Sequence, residues 1–234
     1  MADGAADVCI CVLFYGAEDT HFKLAQRVLN APLRCLAKRN IEFRFGCNAV
    51  GEDTARLLAQ QVTEHFHGAA LFQSLENIMK YPMMRQMFHA APIRAPVTLW
   101  LDHDSYLALD ESDNVDDWLD RVIKQVNGCN LLGSIQKAKL SEEQLAWATQ
   151  QPWFKSDLSA LYLSYPLGGW WAIKTELIYR FDWPPPSFQQ KGGDVLLGAL
   201  FKHHNLPFCH FRNGVRVTAN NAGVESAMAV TIES

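Results

Sequence analysis

The 234-residue chain has no run approaching the roughly 18–20 unbroken apolar residues of a membrane helix. Its start is also short of positive charge: Met1 to Asp7 holds Asp3 and Asp7 and no Lys or Arg, so a secretory leader is not expected. The six cysteines form no CxxC pair, and most sit among apolar residues, which speaks for reduced, buried thiols in a cytoplasmic protein. Charge of one sign is scarce as well. Lys and Arg number 21 against 25 Asp and Glu, a net −4, which argues against holding nucleic acid by bulk electrostatics while leaving room for a local basic groove. No internal repeat and no sharp change of composition divides the chain. A single domain over residues 1–217 is expected, followed by a polar, small-residue tail over 218–234 that is expected to be poorly ordered. What is present suffices for a sizeable core, since 49% of the residues are hydrophobic.

Those apolar residues fall into alternating patterns. Val8 to Tyr15 (VCICVLFY), closed by Gly16, is an apolar run of β-formers and predicts a buried strand. Asp19-Thr20 offers an N-cap for one helix from about His21 to Lys38, adjusted near Pro32. A second strand is expected over Ile41–Val50, a helix from Thr54 to Phe66, a third strand over Ala69–Gln73, and a helix over Asn77–His89 interrupted at Pro82. Val97–Leu101 (VTLWL) is the most buried-looking strand. The apolar spacing of Val115, Trp118, Leu119, Val122, Ile123 and Val126 predicts a helix. Further on, a strand over Leu131–Gln136, a short helix over Ser141–Gln150, a strand at Gly168–Ile173, a helix from Gly192-Gly193-Asp194 to about His204 and an extended stretch over Pro207–Val217 are expected. Strands alternating with helices predict an α/β fold, a mostly parallel sheet with helices on both faces. In such sheets ligands bind beyond the carboxyl ends of the strands.

Asp102-His103-Asp104 follows Val97–Leu101 directly, at such an end. Two carboxylates at i and i+2 after an apolar strand can converge on one site. Hard divalent cations such as Mg²⁺ or Mn²⁺ take oxygen ligands and leave positions for phosphate oxygens. A cation there neutralises a leaving diphosphate. The competing reading is a solvated turn, since Asp and Ser are ordinary turn residues.

With those acids, the glycine pair in Gly168-Gly169-Trp170-Trp171-Ala172-Ile173, Gly193-Asp194 opening a helix, and His210 downstream, the chain resembles the GT-A glycosyltransferases, which are related to the Rossmann fold. The resemblance spans about Val8 to Val217 and lies in motif order. It implies that Tyr15, Gly16 and Ala17 lie near a nucleotide base, with Asn48 a further candidate. Arg85, with Lys80 nearby, becomes a candidate for the diphosphate, since an Arg fork suits phosphate. It further implies Asp104 as direct metal ligand, Asp102 on the ribose or a metal-bound water, and His210 completing the shell. Asp194 stands where inverting members keep the base that deprotonates the acceptor, although they usually carry an acidic pair there and this chain has one acid. Gly168 and Gly169 would pass close to the donor sugar. Trp170 or Trp171, but not both, would line the site, because neighbouring strand residues face opposite ways.

The resulting expectation is a metal-dependent transfer from a nucleotide-sugar, UDP-sugar by default, with Mn²⁺ or Mg²⁺, to an acceptor hydroxyl. Two other classes stay open. Nucleotidyltransferases also hold phosphates with paired acids, but generally through a basic glycine-rich loop after the first strand, which here reads Gly16-Ala17-Glu18-Asp19-Thr20. A non-catalytic nucleotide-sugar-binding module would be expected to have lost acids that are intact here. The acceptor is not legible. Glycans, small molecules and hydroxymethylated pyrimidines of phage DNA all qualify, the last served by a groove bordered by Lys80, Arg85, Arg94, Lys137, Lys139, Lys191, Lys202, Arg212 and Arg216.

Overall fold

The structure, a computed structural model, describes residues 6–110, 114–140, 163–189, 192–211 and 214–217, with single positions between 142 and 150. The expected tail over 218–234 and half of the positions of the expected helix over Ser141–Gln150 lie outside the described residues.

The all-apolar first strand, β1 (Val8–Tyr15), is central because both of its faces are covered. Val8, Ile10, Val12 and Phe14 enter one hydrophobic core, and Cys9, Cys11 and Leu13 enter a second on the other side. β1 pairs in parallel with β2 (Ile41–Asn48) and β4 (Val97–Asp102), and β2 with β3 (Ala70–Ser74). β7 (Leu163–Lys174) runs antiparallel to β4 and to β6 (Leu131–Ala138), and β8 (Cys209–His210) closes the far edge. The order is β3-β2-β1-β4-β7-β6-β8. A separate two-stranded ribbon joins β5 (Ser105–Leu107) to β9 (Val215–Val217). The expected mostly parallel sheet is therefore present, with β7 as the strand that turns against it.

Helices cover both faces. α1 (Asp19–Val28), α2 (Ala31–Leu36), α3 (Glu52–Glu64) and α5 (Val115–Cys129) contribute to the first core. α4 (Lys80–His89), α6 (Thr175–Arg180) and α7 (Gly193–His203) contribute to the second. Two expectations about proline need correction. The helix expected from His21 to Lys38 is two helices, broken at Leu29-Asn30, with Pro32 in the first turn of the second. Pro82 does not interrupt α4, because it too falls in a first turn, where the missing N–H is no loss.

α4 brings side chains to the strand ends, and its other end is anchored by Arg44, which is 3% exposed. The Arg44 guanidinium pairs with Glu42 at 2.5 Å and donates to the carbonyls of Met87, Ala91 (2.8 Å) and Pro92 (2.9 Å), the oxygens a helix C-terminus leaves without partners. Gly46 on β2 has no side chain to hold off Met83 and Met87, so the helix lies close on the strand. This fixes the N-terminus of α4, with Lys80 and Tyr81, beside the end of β4.

Candidate active site at the strand ends

The carboxyl ends of β1, β2 and β4 open on a cleft of about 130 Å³ lined by Leu13, Tyr15, Asn48, Asn77, Lys80, Asp102, His103 and Asp104. Lys80 is its electrostatic centre. Its Nζ lies 2.6 Å from Asp102 Oδ2 and donates to the Gly168 carbonyl at 2.8 Å. Asp102 Oδ1 accepts from Trp100 Nε1 at 2.9 Å, so both oxygens of that carboxylate are held by protein donors. Asp104 is held more loosely: the single Ser105 hydroxyl proton goes to the Gly169 carbonyl at 2.7 Å, and Asp104 Oδ1 lies a longer 3.3 Å from Ser105 Oγ. Asp194, at the start of α7, accepts from the Tyr81 hydroxyl at 3.2 Å.

One ammonium thus serves three acids in a desolvated place. Burial would lower the Lys80 pKa, but Asp102, then Asp194 and Asp104, hold it above its ordinary value. Burial pushes all three carboxyls up. Lys80 opposes the rise in all three, while the Asp102 charge adds to it in Asp194 and in Asp104, which reaches about 6. His103 stays neutral: burial, then His21 and Arg27, lower it to about 4. Its Nδ1 accepts from Tyr15 N at 3.1 Å, and its ring stacks on His21 at 5.7 Å.

Of the residues singled out in the sequence, Tyr15, Asn48, Asp102 and Asp104 meet in this cleft. Gly168 adjoins it through the carbonyl that receives Lys80, and a Cβ there would overlap the Asp194 carboxylate. Gly169 faces Ser105 and Val217 instead. Gly16 takes a left-handed φ of 81° under the His21 ring, and Ala17 packs on Gly51.

Arg85, Trp170, Trp171 and His210 are not brought to the acids. Arg85 is used by the chain itself, donating to the Asp182 and Pro184 carbonyls and pairing with the Asp182 carboxylate at 2.8 Å. Trp170 packs edge-on to Phe211 and Trp171 stacks on Trp100, each 1% exposed, so the expectation that one ring lines the site gives way to two core rings on opposite faces. His210 pairs with Gly133 at the sheet edge, three strands from β4, about 14 Å at roughly 4.8 Å per strand, and its Nδ1 accepts from Ile135 N at 2.9 Å. In the sequence Lys80 stands out only beside Arg85 and among the cations of a candidate groove, and Asn77 and Tyr81 do not stand out at all. No local spacing links Lys80 to an acid 22 residues on.

A divalent cation fits this donor set in a limited way. The ligands are oxygens, as a hard cation prefers, and Asp104 is an acid whose pKa is raised by burial and by the Asp102 charge, both of which a cation would offset. Asp104 would hold the ion, with Asp102 behind it. Among the described residues no group of three or more His, Cys, Asp and Glu could form a cage alone, so further ligands would come from phosphate oxygens and water.

No family model matches the sequence, and no curated protein matches it. The architecture does have solved counterparts: it is the GT-A fold of glycosyltransferases. A mannosyltransferase from Pyrobaculum calidifontis, solved with GDP-Man and Mn²⁺, superposes with a TM-score of 0.57 at 13% identity, over 90% of this chain and 56% of that one. S. aureus TarS gives 0.57 at 14% identity, over 91% and 36%. GalNAc-T7, solved with UDP, GalNAc and Mn²⁺, gives 0.55 at 12%, over 89% and 43%. The chain spans between about a third and a little over half the length of these chains. The likeness establishes the fold; what the site does is argued from its residues.

Proposed function

We propose that the chain is a glycosyltransferase that moves a sugar from a nucleoside diphosphate donor to an acceptor hydroxyl. The observation that carries this reading is the grouping of Lys80 with Asp102 and Asp104 in one cleft at the strand ends, with Asp194 close enough to Lys80 to act on its charge. Lys80 supplies a fixed positive charge, and Asp104 would hold Mn²⁺ or Mg²⁺. The cation's chemistry is to neutralise the diphosphate as it leaves. Asp194, which accepts from the Tyr81 hydroxyl, acts as base. It takes the proton of the acceptor hydroxyl while that oxygen bonds to the anomeric carbon and the bond from that carbon to the diphosphate oxygen breaks, inverting the centre. Its raised pKa suits the task, since an acid tuned upward binds the proton it removes more firmly. The acceptor belongs to the same proposal: hydroxymethylated pyrimidine in phage DNA, or else a glycan or small molecule. So do a cytoplasmic location and one catalytic unit over residues 1–217 with a tail over 218–234.

The test is a screen of nucleotide-sugars for nucleotide release with Mn²⁺ present. Wild type is expected to release nucleoside diphosphate, and Asp104→Ala to lose release by at least about a hundredfold. The unfolding midpoint of that variant should not fall, because the substitution removes an acid that burial and Asp102 disfavour. Pyrophosphate exchange without sugar transfer would instead assign the site to a nucleotidyltransferase. Tight metal-independent binding with no release would make it a binding module.

A further inference from the structure

The two sides of the cleft differ in chemistry. Lys80, Asp102 and Asp104 stand together on one side, and Tyr15, Asn48 and Asn77, joined by hydrogen bonds and none of them charged, on the other. A nucleoside diphosphate puts its phosphates on the charged side, and its sugar must lie towards Asp194 for transfer. The base then falls on the neutral side.

Backbone N–H groups decide which way the amides there point, since an N–H can only face an oxygen. Ile78 N donates to Asn48 Oδ1 at 2.9 Å, so Asn48 Nδ2 is the group that donates to Asn77 Oδ1, at 3.0 Å. Met79 N donates to the same Asn77 oxygen at 2.9 Å, and Asn77 Nδ2 donates to the Tyr15 hydroxyl at 3.3 Å. Asn48, 1% exposed, is therefore a brace for the Asn77 turn, with its oxygen engaged by the protein. Both Asn77 acceptor positions are filled as well. What these side chains can still give is the Tyr15 O–H and the second Asn77 N–H, and a hydroxyl that already accepts is the stronger donor for it. His103 adds to the set: its Nδ1 accepts from Tyr15 N, so its proton is on Nε2.

Resting on the donor reading above, we infer that the neutral side of the cleft selects the nucleobase by giving hydrogen bonds. It takes an edge with two neighbouring acceptors, O2 and N3 of cytosine or O6 and N7 of guanine. It disfavours uracil, whose N3–H would meet a donor. This departs from the default of a UDP-sugar, which rested on the frequency of that base and on no residue of this chain.

Calorimetric titration of the full chain with CDP, GDP and UDP in one Mn²⁺ buffer tests it. CDP or GDP should bind about tenfold more tightly than UDP, the scale of one hydrogen bond lost with donors left facing each other. Which of the two leads separates a pyrimidine reader from a purine reader. UDP binding as tightly as both, or more so, overturns the inference and leaves the donor reading standing. If none of the three binds, both fall together. Asn77→Asp keeps the oxygen that Met79 N and Asn48 need but replaces the free N–H with an acceptor, so the preference should move about tenfold towards UDP. An unchanged ratio in a variant of unaltered unfolding temperature overturns the inference. Tyr15→Phe, which keeps the bonds of Asn77 Oδ1 to Met79 N and Asn48 while removing the hydroxyl donor and the acceptor of Asn77 Nδ2, should weaken CDP or GDP more than UDP, and equal weakening of all three would count against it.

Discussion

Charge balance at the level of single side chains turns on Lys80, one ammonium facing three carboxylates. Tyr81, the next residue, acts differently: its ring packs against Gly193 and Phe188, and its hydroxyl reaches Asp194. Tyr81→Phe separates those roles. The ring contacts remain, so the unfolding temperature should change little, and the donor KM should hold because Tyr81 does not line the cleft. The value of kcat should fall about tenfold. The sign of the pH effect follows from the groups around Asp194. Burial raises its pKa, while Lys80 and the Tyr81 hydroxyl oppose the rise by stabilising the carboxylate. Losing the hydroxyl raises it further, so the acidic limb of the kcat profile should move to higher pH. A profile that keeps its position in a less active variant would show that Tyr81 does not act through Asp194. Asp102, Asp104, Tyr15 and Asn48 could be picked out in the sequence because each ends a strand recognisable by composition or, for Asp104, follows one by two residues. Lys80 could not, because its distance from Asp102 is set by how α4 lies on β2.

Among the elements, α7 shows how tightly the site is built. A Cβ at Gly193 would overlap the Tyr81 ring, and one at Gly198 would overlap Ser164 and Tyr165 on β7. Gly193→Ala should cost about 1–3 kcal/mol in denaturant unfolding, the usual range for overpacking a filled site. It should also lower activity by displacing Asp194. Unchanged stability would mean that the helix start can shift without loss. The elements themselves were largely legible. Strands β1, β2 and β4 and helices α3 and α5 lie where periodicity put them, within a few residues, while β7 begins five residues before the expected Gly168. Both prolines were misjudged for one reason. A proline breaks a helix only beyond its first turn, and where a helix starts depends on caps and packing as much as on the proline.

For the molecule as a whole, two cores on either side of one sheet decide which groups solvent can reach. Cys9, Cys11, Cys47 and Cys129 are buried, and burial pushes Cys47 and Cys129 up to about 12, while Cys35 is exposed and Cys209 half-buried. Labelling of the native chain with a thiol reagent, followed by mass spectrometry, should modify Cys35 first and leave the four buried thiols untouched until unfolding. Early labelling of Cys47 would contradict the packing of the first core. No helix among the described residues is long and apolar enough to cross a membrane. The order of apolar and polar residues was enough by itself to determine a layered α/β chain with acids at a strand end, because period and turn chemistry are local properties. Only the tertiary structure decided that Lys80 rather than Arg85 joins those acids, that both Trp170 and Trp171 are core, and that His210 stays at the sheet edge. Those outcomes depend on strand order and helix seating, which bring together residues far apart in the chain and which no local pattern encodes.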